Sequence, residues 1–323
     1  MSELIPVAEV KVGGVVGTGA VGASWIALLL AHDLDVLAHD PGPQAEQRAR
    51  EFVTAAWPAL CGLGIARQEA APLTRLRFAA SAAEVARGSD LVLENVPERP
   101  AIKQAVLREI DAAAAPHKIV TSSTGGIPPS TLQAACGHPG RFVVMHPFNP
   151  AHLIPLVEVV AGRDTRRETI QWTMAFCRFI GKHPIEIKRE AAGHMANRLQ
   201  FALVREAVHC LNEGLASAED IDAAVRCGLG PRWTLMGSLL TLHLAGGPGG
   251  MKGILHHTGD AIEGWWSALG TPRLTPETRA RLAEAADEVA RGRSIAEWER
   301  WRDDRLVGVL RLLQNEPTYE ADK

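Results

Sequence analysis

The sequence predicts an α/β fold: a mostly parallel β-sheet with helices on both faces, followed by an all-helical C-terminal domain. Three observations carry this. Short Val/Leu/Ile runs alternate with helical stretches up to about residue 187, the pattern of strands joined by crossover helices. The first apolar run passes through a glycine-rich turn, Gly17-Thr18-Gly19-Ala20-Val21-Gly22, into a long apolar helix. From Gly193 onward the short runs cease and helical periodicity continues alone.

A chain of 323 residues suggests two domains and is ample for a large core; the change of character places them at 1–189 and 190–323. The 34 Lys plus Arg nearly balance 37 Asp plus Glu, for a formal charge of -3, which argues against a nucleic-acid partner. Arg163, Arg166 and Arg167 read as solvated surface. Cys61, Cys136, Cys177, Cys210 and Cys227 are widely spaced, with no CxxC pattern; they fit a reducing cytoplasm and give no reason to expect a metal. Glu3 precedes any apolar run, and no basic start of a secretory signal is present. Residues 13–31 are apolar enough to suggest a membrane segment, yet their glycines fall where a tight turn needs them and aspartates follow at once, so no membrane is expected.

In chain order, Val12–Val16 reads as a buried strand and Ala20 onward, through Trp25, Ile26, Leu28 and Leu29, as the helix. Gly17, Gly19 and Gly22 form Gly-x-Gly-x-x-Gly. In a Rossmann-type dinucleotide site the first glycine permits the turn, the second leaves room for the pyrophosphate, and the third lets helix and strand pack closely. The pyrophosphate then faces unpaired N–H groups at the helix's positive end, so Thr18, Ala20 and Val21 join the glycines as cofactor residues. Residues 35–40 read as a second strand ending in Asp40, about 20 residues beyond the turn, where a carboxylate accepts from the adenosine ribose. Pro41, Gly42 and Pro43 follow, with no immediate arginine, which favours NAD over NADP. The bland alternative is that Asp40 only starts a turn before Pro41.

Residues 44–60 look helical, with Phe52, Val53, Ala56, Trp57 and Leu60 on one side and a bend or end expected at Pro58. Residues 75–79 suggest a strand, and Ser81 with Glu84 a capping box. Strands are expected over 90–94 and 118–121, with a polar loop at 95–98 and a helix over 101–110 between them. The loop from Thr121 to Gly126 is explained by helix capping and turn chemistry or, at a strand end, by ligand contact. Residues 141–146 form a further strand, and the prolines of Pro147-Phe148-Asn149-Pro150 give His146 a restricted seat. Strand alternation in Leu156-Val157-Glu158-Val159-Val160 puts Glu158 between apolar neighbours, where a carboxylate needs a partner. His146 is the candidate if the two segments lie side by side. After a strand-like 184–187, helices are expected over 195–212, 217–226, around 233–244, 276–291 and 294–313. The last, with Trp298, Trp301, Leu306, Val309 and Leu312, is amphipathic and suits domain packing or a dimer interface.

Taken together, residues 17–22, Glu94-Asn95-Val96-Pro97-Glu98, the loop 122–126, His146-Pro147-Phe148-Asn149-Pro150, residues 155–160 and Asn197-Arg198-Leu199 resemble the 3-hydroxyacyl-CoA dehydrogenase family over almost the whole chain. That resemblance implies an NAD-binding domain followed by a helical domain for substrate binding and dimerisation, hence a homodimer and an NAD-dependent 3-hydroxyacid dehydrogenase. It implies His146 as the catalytic base, Glu158 as the carboxylate that orients it, and Asn197 as a donor to the reacting oxygen or a support for His146. Histidine suits the role because both its protonation states are accessible near neutral pH. Glu98 and Lys103 match positions on the nicotinamide side of the family's cleft; as isolated residues they read equally as a helix-end salt bridge.

Where the CoA-type enzymes have Asn-Thr-Ser, this chain has Ser123, Thr124 and Gly125, so the family's substrate-contacting serine is missing. Ser123, Asn197 or a water takes its place, or the pocket serves another acid. The branch that does not use CoA is the better match, resembling the L-carnitine dehydrogenase group and, less closely, the lambda-crystallin/L-gulonate 3-dehydrogenase group. Residues 57–60, 232–237, 244–247, 250–251 and 302–304 carry that likeness. It implies a small 3-hydroxy acid, with a carnitine-like compound first. Trp233 either faces a quaternary ammonium or packs between helices, and Arg232 either binds the substrate carboxylate or forms a rim salt bridge. A protein that keeps NAD but has lost turnover is the alternative of a different class.

Overall fold

The computed structural model describes residues 4–314; Glu3, on which the reading of the N-terminus rests, lies outside them. The chain divides into two compact units, residues 4–198 with Asp303–Arg311, and Leu199–Arg302 with residues 312–314. No helix among the described residues is long and apolar enough to cross a membrane.

The first unit holds one eight-stranded sheet: β1 (Val12–Val16), β2 (Asp35–His39), β3 (Leu76–Phe78), β4 (Leu91–Glu94), β5 (Ile119–Ser122), β6 (Phe142–Pro147), β7 (Leu156–Val160) and β8 (His183–Ile187). Their spatial order is β3-β2-β1-β4-β5-β6-β7-β8. Every neighbouring pair is parallel except β6 and β7, which run antiparallel. The helices are α1 (Ala20–Ala31), α2 (Ala45–Gly62), α3 (Ala82–Gly88), α4 (Pro100–Ala113), α5 (Pro129–Gln133) and α6 (Arg167–Phe179). Two apolar cores result, one on each face of the sheet. Val15, Met145 and Val159 point to the core that contains Trp25, Trp57 and Phe176. Their neighbours Val16, Val144 and Val160 point to the core that contains Val85, Leu107 and Leu132. Strands buried on both faces explain why the sequence shows continuous apolar runs rather than alternation.

The chain leaves β1 toward one edge for β2 and β3, then returns to β1's other side for β4. Ligands of such sheets bind beyond the strand C-termini at this reversal.

Three local expectations change. The helix over 44–60 runs through Pro58 to Gly62, because burial of Val53, Trp57 and Leu60 outweighs one missing backbone bond. Ser81 accepts from the Glu84 N–H at 3.2 Å, but Glu84 reaches back to the N–H of Ala80 rather than that of Ser81. Helix α6 escaped the sequence reading.

The remaining helices are α7 (Ala196–Asn212), α8 (Ala218–Ala223), α9 (Gly230–Leu235), α10 (Ser238–Ala245), α11 (Gly250–Ala268), α12 (Pro276–Ala290) and α13 (Ile295–Gln314). The segment expected around 233–244 breaks between Leu235 and Ser238, and α8 continues as a π-helical turn over Ala224–Leu229. Helix α11 was not foreseen, since Gly250, Gly253, Gly259 and Gly264 dilute its helical signal.

Candidate active site

The turn after β1 is built by its glycines. Gly17 has φ +88° and donates its N–H to the His39 carbonyl at 2.8 Å; a Cβ there would come within 2.7 Å of the Asn95 backbone. At Gly22 a Cβ would lie 1.9 Å from the Gly17 carbonyl oxygen, so helix and turn touch. At Gly19, which caps α1, a Cβ would meet nothing within 4 Å. An open position at the start of a helix, beside two glycines that are sterically required, fits a bound pyrophosphate.

Asp40 follows β2 and accepts from the Thr18 N–H at 2.7 Å, the Thr18 hydroxyl at 3.2 Å and the Gly42 N–H at 2.8 Å. Burial pushes its carboxyl up, but these bonds and the Arg48 charge outweigh it and hold the pKa below the ordinary carboxylate value. Asp40 thus fastens the glycine turn as well as closing β2. Arg48, eight positions on and one helical turn into α2, is a cation that the inspection of residues 41–43 passed over.

At the end of β4, Lys103 of α4 is buried and bonded to Glu94 at 2.8 Å, with Glu98 at 3.6 Å. Glu94 also accepts from the Val96 N–H and, at 2.5 Å, from the Ser122 hydroxyl. The sequence pairs Lys103 with Glu98 and assigns no role to Glu94, the group that takes the lysine's short bond. Glu98 is the open member, with its side chain 48% exposed, and accepts from the Thr124 hydroxyl at 2.5 Å. Ser123 accepts from the Trp25 indole N–H at 3.1 Å, a bond that fixes its hydroxyl oxygen.

His146 and Glu158 stand directly opposite each other in the antiparallel register of β6 and β7. His146 Nδ1 is 2.9 Å from Glu158 Oε2. Glu158 Oε1 accepts from the Met195 and Ala196 N–H groups at 2.9 and 2.8 Å, at the beginning of α7. Burial raises the pKa of Glu158, yet the His146 bond and the two N–H groups more than reverse this and hold it below the ordinary value. An ionised carboxylate only accepts, so Nδ1 carries the hydrogen and the neutral form of the ring has its lone pair on Nε2. Around Nε2 the wall is thin: a Cβ on Gly125 would lie 3.3 Å from both His146 Nε2 and Asn197 Nδ2. Asn197 Nδ2 donates to the Gly125 carbonyl at 2.8 Å. A basic nitrogen and an amide N–H therefore converge over a residue that has no side chain, an arrangement able to take a proton from a hydroxyl and hold its oxygen. The asparagine's tie to loop 122–126 and the histidine at 194 had no local signal in the sequence.

Arg232 and Trp233 lie on α9 of the second unit. Arg232 donates to the Gly228 carbonyl at 3.2 Å, and Trp233 is partly exposed.

A dinucleotide cradle and a histidine–carboxylate pair on one sheet define an NAD-dependent dehydrogenase. Residues 12–191 match the model of the 3-hydroxyacyl-CoA dehydrogenase NAD binding domain, and residues 193–279 match that of the C-terminal domain. The chain belongs to the 3-hydroxyacyl-CoA dehydrogenase family. It is 45% identical to an L-carnitine dehydrogenase of Bacillus cereus over 306 residues, 95% of this chain and 93% of that protein. It is 44% identical to an L-carnitine dehydrogenase of Pseudomonas aeruginosa over 304 residues, 94% of each. Among solved structures it resembles 5-formyl-3-hydroxy-2-methylpyridine 4-carboxylic acid 5-dehydrogenase, an NAD+-dependent dismutase, with TM-score 0.82 and 31% identity over 95% of this chain and 100% of that one. Its reaction class is NAD-dependent oxidation of a small hydroxy acid.

Proposed function

We propose that the enzyme oxidises the 3-hydroxyl of a small hydroxy acid, L-carnitine or a related compound, with His146 as general base, Glu158 orienting it and Asn197 holding the reacting oxygen. The observation that carries this reading is the His146 Nδ1–Glu158 bond, which leaves Nε2 facing the space over Gly125. NAD supplies the hydride acceptor. Residues 17–22 and Asp40 hold its diphosphate and ribose, and Glu98 with Lys103 borders its nicotinamide side. During oxidation His146 Nε2 takes the hydroxyl proton while Glu158 stabilises the resulting imidazolium; in reduction the proton returns by the same path. With no hydroxyl at Gly125, Asn197 and Ser123 supply the polar contacts to the substrate.

The likeness to L-carnitine dehydrogenases supports a substrate with a quaternary ammonium. Trp233 is assigned to that group and Arg232 to its carboxylate. A homodimer accounts for the exposed apolar side chains of the second unit, and five free thiols support a reducing compartment, the cytoplasm. The deciding experiment compares NAD reduction with L-carnitine, L-gulonate, 3-hydroxybutyrate and 3-hydroxybutyryl-CoA. L-carnitine is expected to give the highest kcat/KM. Preference for the thioester would overturn the small-acid reading, and NAD binding without turnover of any acid would favour a protein that has lost catalysis.

A further inference from the structure

Residues 193–197 do more than lead the chain into α7, for each gives one polar group to the walls of the site. The Gly193 N–H donates to the Gly126 carbonyl at 3.1 Å. His194 Nε2 lies 3.1 Å from the Thr124 carbonyl oxygen. The N–H groups of Met195 and Ala196 hold Glu158, and Asn197 Nδ2 donates to the Gly125 carbonyl. Three consecutive carbonyls of the loop after β5 and the carboxylate behind His146 are thus gripped by five consecutive residues. Gly193 at φ +75° and His194 at φ +47° turn the backbone so that this becomes geometrically possible.

His194 is the costly member of this clamp. Its backbone is in the left-handed region, which L side chains adopt uncommonly, His more often than most but at a cost that Gly does not bear. Its ring is buried, and because a carbonyl only accepts, Nε2 carries the hydrogen and Nδ1 keeps a lone pair for which the described residues offer no partner. The ring centroid is 5.4 Å from that of His146. Strain and an unsatisfied buried atom at one residue beside the reacting pair are where a functional demand is to be sought.

We propose that His194 is a positioning residue for proton transfer, its Nε2–H fixing the Thr124 carbonyl, and with it the backbone that leads into Gly125, while its ring backs His146, so that His146 Nε2 and Asn197 Nδ2 converge on one point. That point is already visible, since a Cβ on Gly125 would be 3.3 Å from each of the two nitrogens. Burial, with a smaller push from His146, holds the His194 pKa below 6.5; the Thr124 carbonyl, Glu158 and Glu98 oppose this only in part. This direction favours the neutral His194 ring, and the proton leaving the substrate has its carboxylate partner at His146, next to Glu158.

The inference rests on the reading of His146 as base, and its test keeps the two apart. His194→Gln presents an amide N–H at about the reach of Nε2. His194→Phe keeps a ring without the donor, and His194→Asn tolerates the left-handed backbone but is too short for either contact. With whichever of the four hydroxy compounds is oxidised fastest, Phe and Asn should each lower kcat by about 10- to 100-fold with NAD affinity changed by less than about threefold, and Gln should recover most of the loss. A second readout needs no substrate. In ¹⁵N-histidine-labelled protein the His146 Nδ1–H signal, identified by its loss in His146→Ala, should broaden in the Phe and Asn variants and persist in the Gln variant. An unaltered kcat in the Phe and Asn variants, or an equal fall in all three, overturns the proposal. If no compound turns over, an unaltered Nδ1–H signal overturns it. Full activity of His146→Ala would instead reject the base, whatever His194 does.

Discussion

The two units of this protein bury their apolar surface to very different degrees. In the first, Trp25, Phe142, Phe176 and the strand valines are shut from solvent on both faces of the sheet. In the second, Val208 is the only large apolar side chain buried among the described residues of α7–α13, while Trp265 is 64% and Trp266 67% exposed, and Leu215, Leu239 and Ile295 are each about as open or more. A helical unit that exposes this much apolar area lacks the burial that stabilises a domain. The first unit encloses its core and its histidine–carboxylate pair by itself; the second leaves its apolar faces open.

The largest effect expected lies inside the self-contained unit. His146→Ala should lower kcat by about 10²- to 10⁴-fold, the range of general acid–base catalysis, with NAD affinity and association state unchanged. Retention of the rate would remove the base from the mechanism. The glycine turn offers the next contrast. Gly22→Val, forced against the Gly17 carbonyl, should cost both fold stability and NAD binding. Gly19→Val, in open space, should melt like the unaltered protein yet weaken NAD by about tenfold or more, a loss of only about 1.4 kcal/mol. Equal melting losses for both variants would mean that the open space at Gly19 is not a ligand's.

The comparison itself is tested from the other unit. On the proposed homodimer, Trp266→Glu should shift the sedimentation mass from dimer toward monomer and leave NAD affinity within about twofold, a limit of about 0.4 kcal/mol. A parallel loss of NAD binding would show that the first unit is not self-sufficient. The last effect concerns pH. Burial pushes Lys182, which donates to the Ala151 and Ile154 carbonyls, down to about 7. An unfolded lysine holds its proton up to about pH 10.4, so between these values the unfolded chain binds more protons and stability rises with pH, by at most about 1.4 kcal/mol per pH unit. Urea unfolding at several pH values should show that slope, and Lys182→Met should flatten it.

Much of the first unit is legible because parallel strands and their crossover helices leave local marks. The apolar runs, the glycine spacing and the acid at Asp40 all lie within about 30 residues, the span of one strand–helix–strand unit. The second unit is read less well. Helix α11 carries four glycines and its apolar faces are not enclosed within the chain, so neither propensity nor periodicity marks it. Likewise Lys103 and Glu98 were noticed as a pair, whereas Glu94 passed for an ordinary strand end because its partner arrives from the next helix.

The sequence by itself determined the succession of the strands, the dinucleotide turn and the residue types available for proton transfer, since each is written in spacing along the backbone. Tertiary structure alone decided that His146 meets Glu158 across an antiparallel register, that Lys103 is spent on Glu94, and that residues 193–197 close on loop 124–126. Those contacts join segments as many as 72 residues apart, and such meetings are set by how the sheet pairs and where one left-handed turn sends the chain.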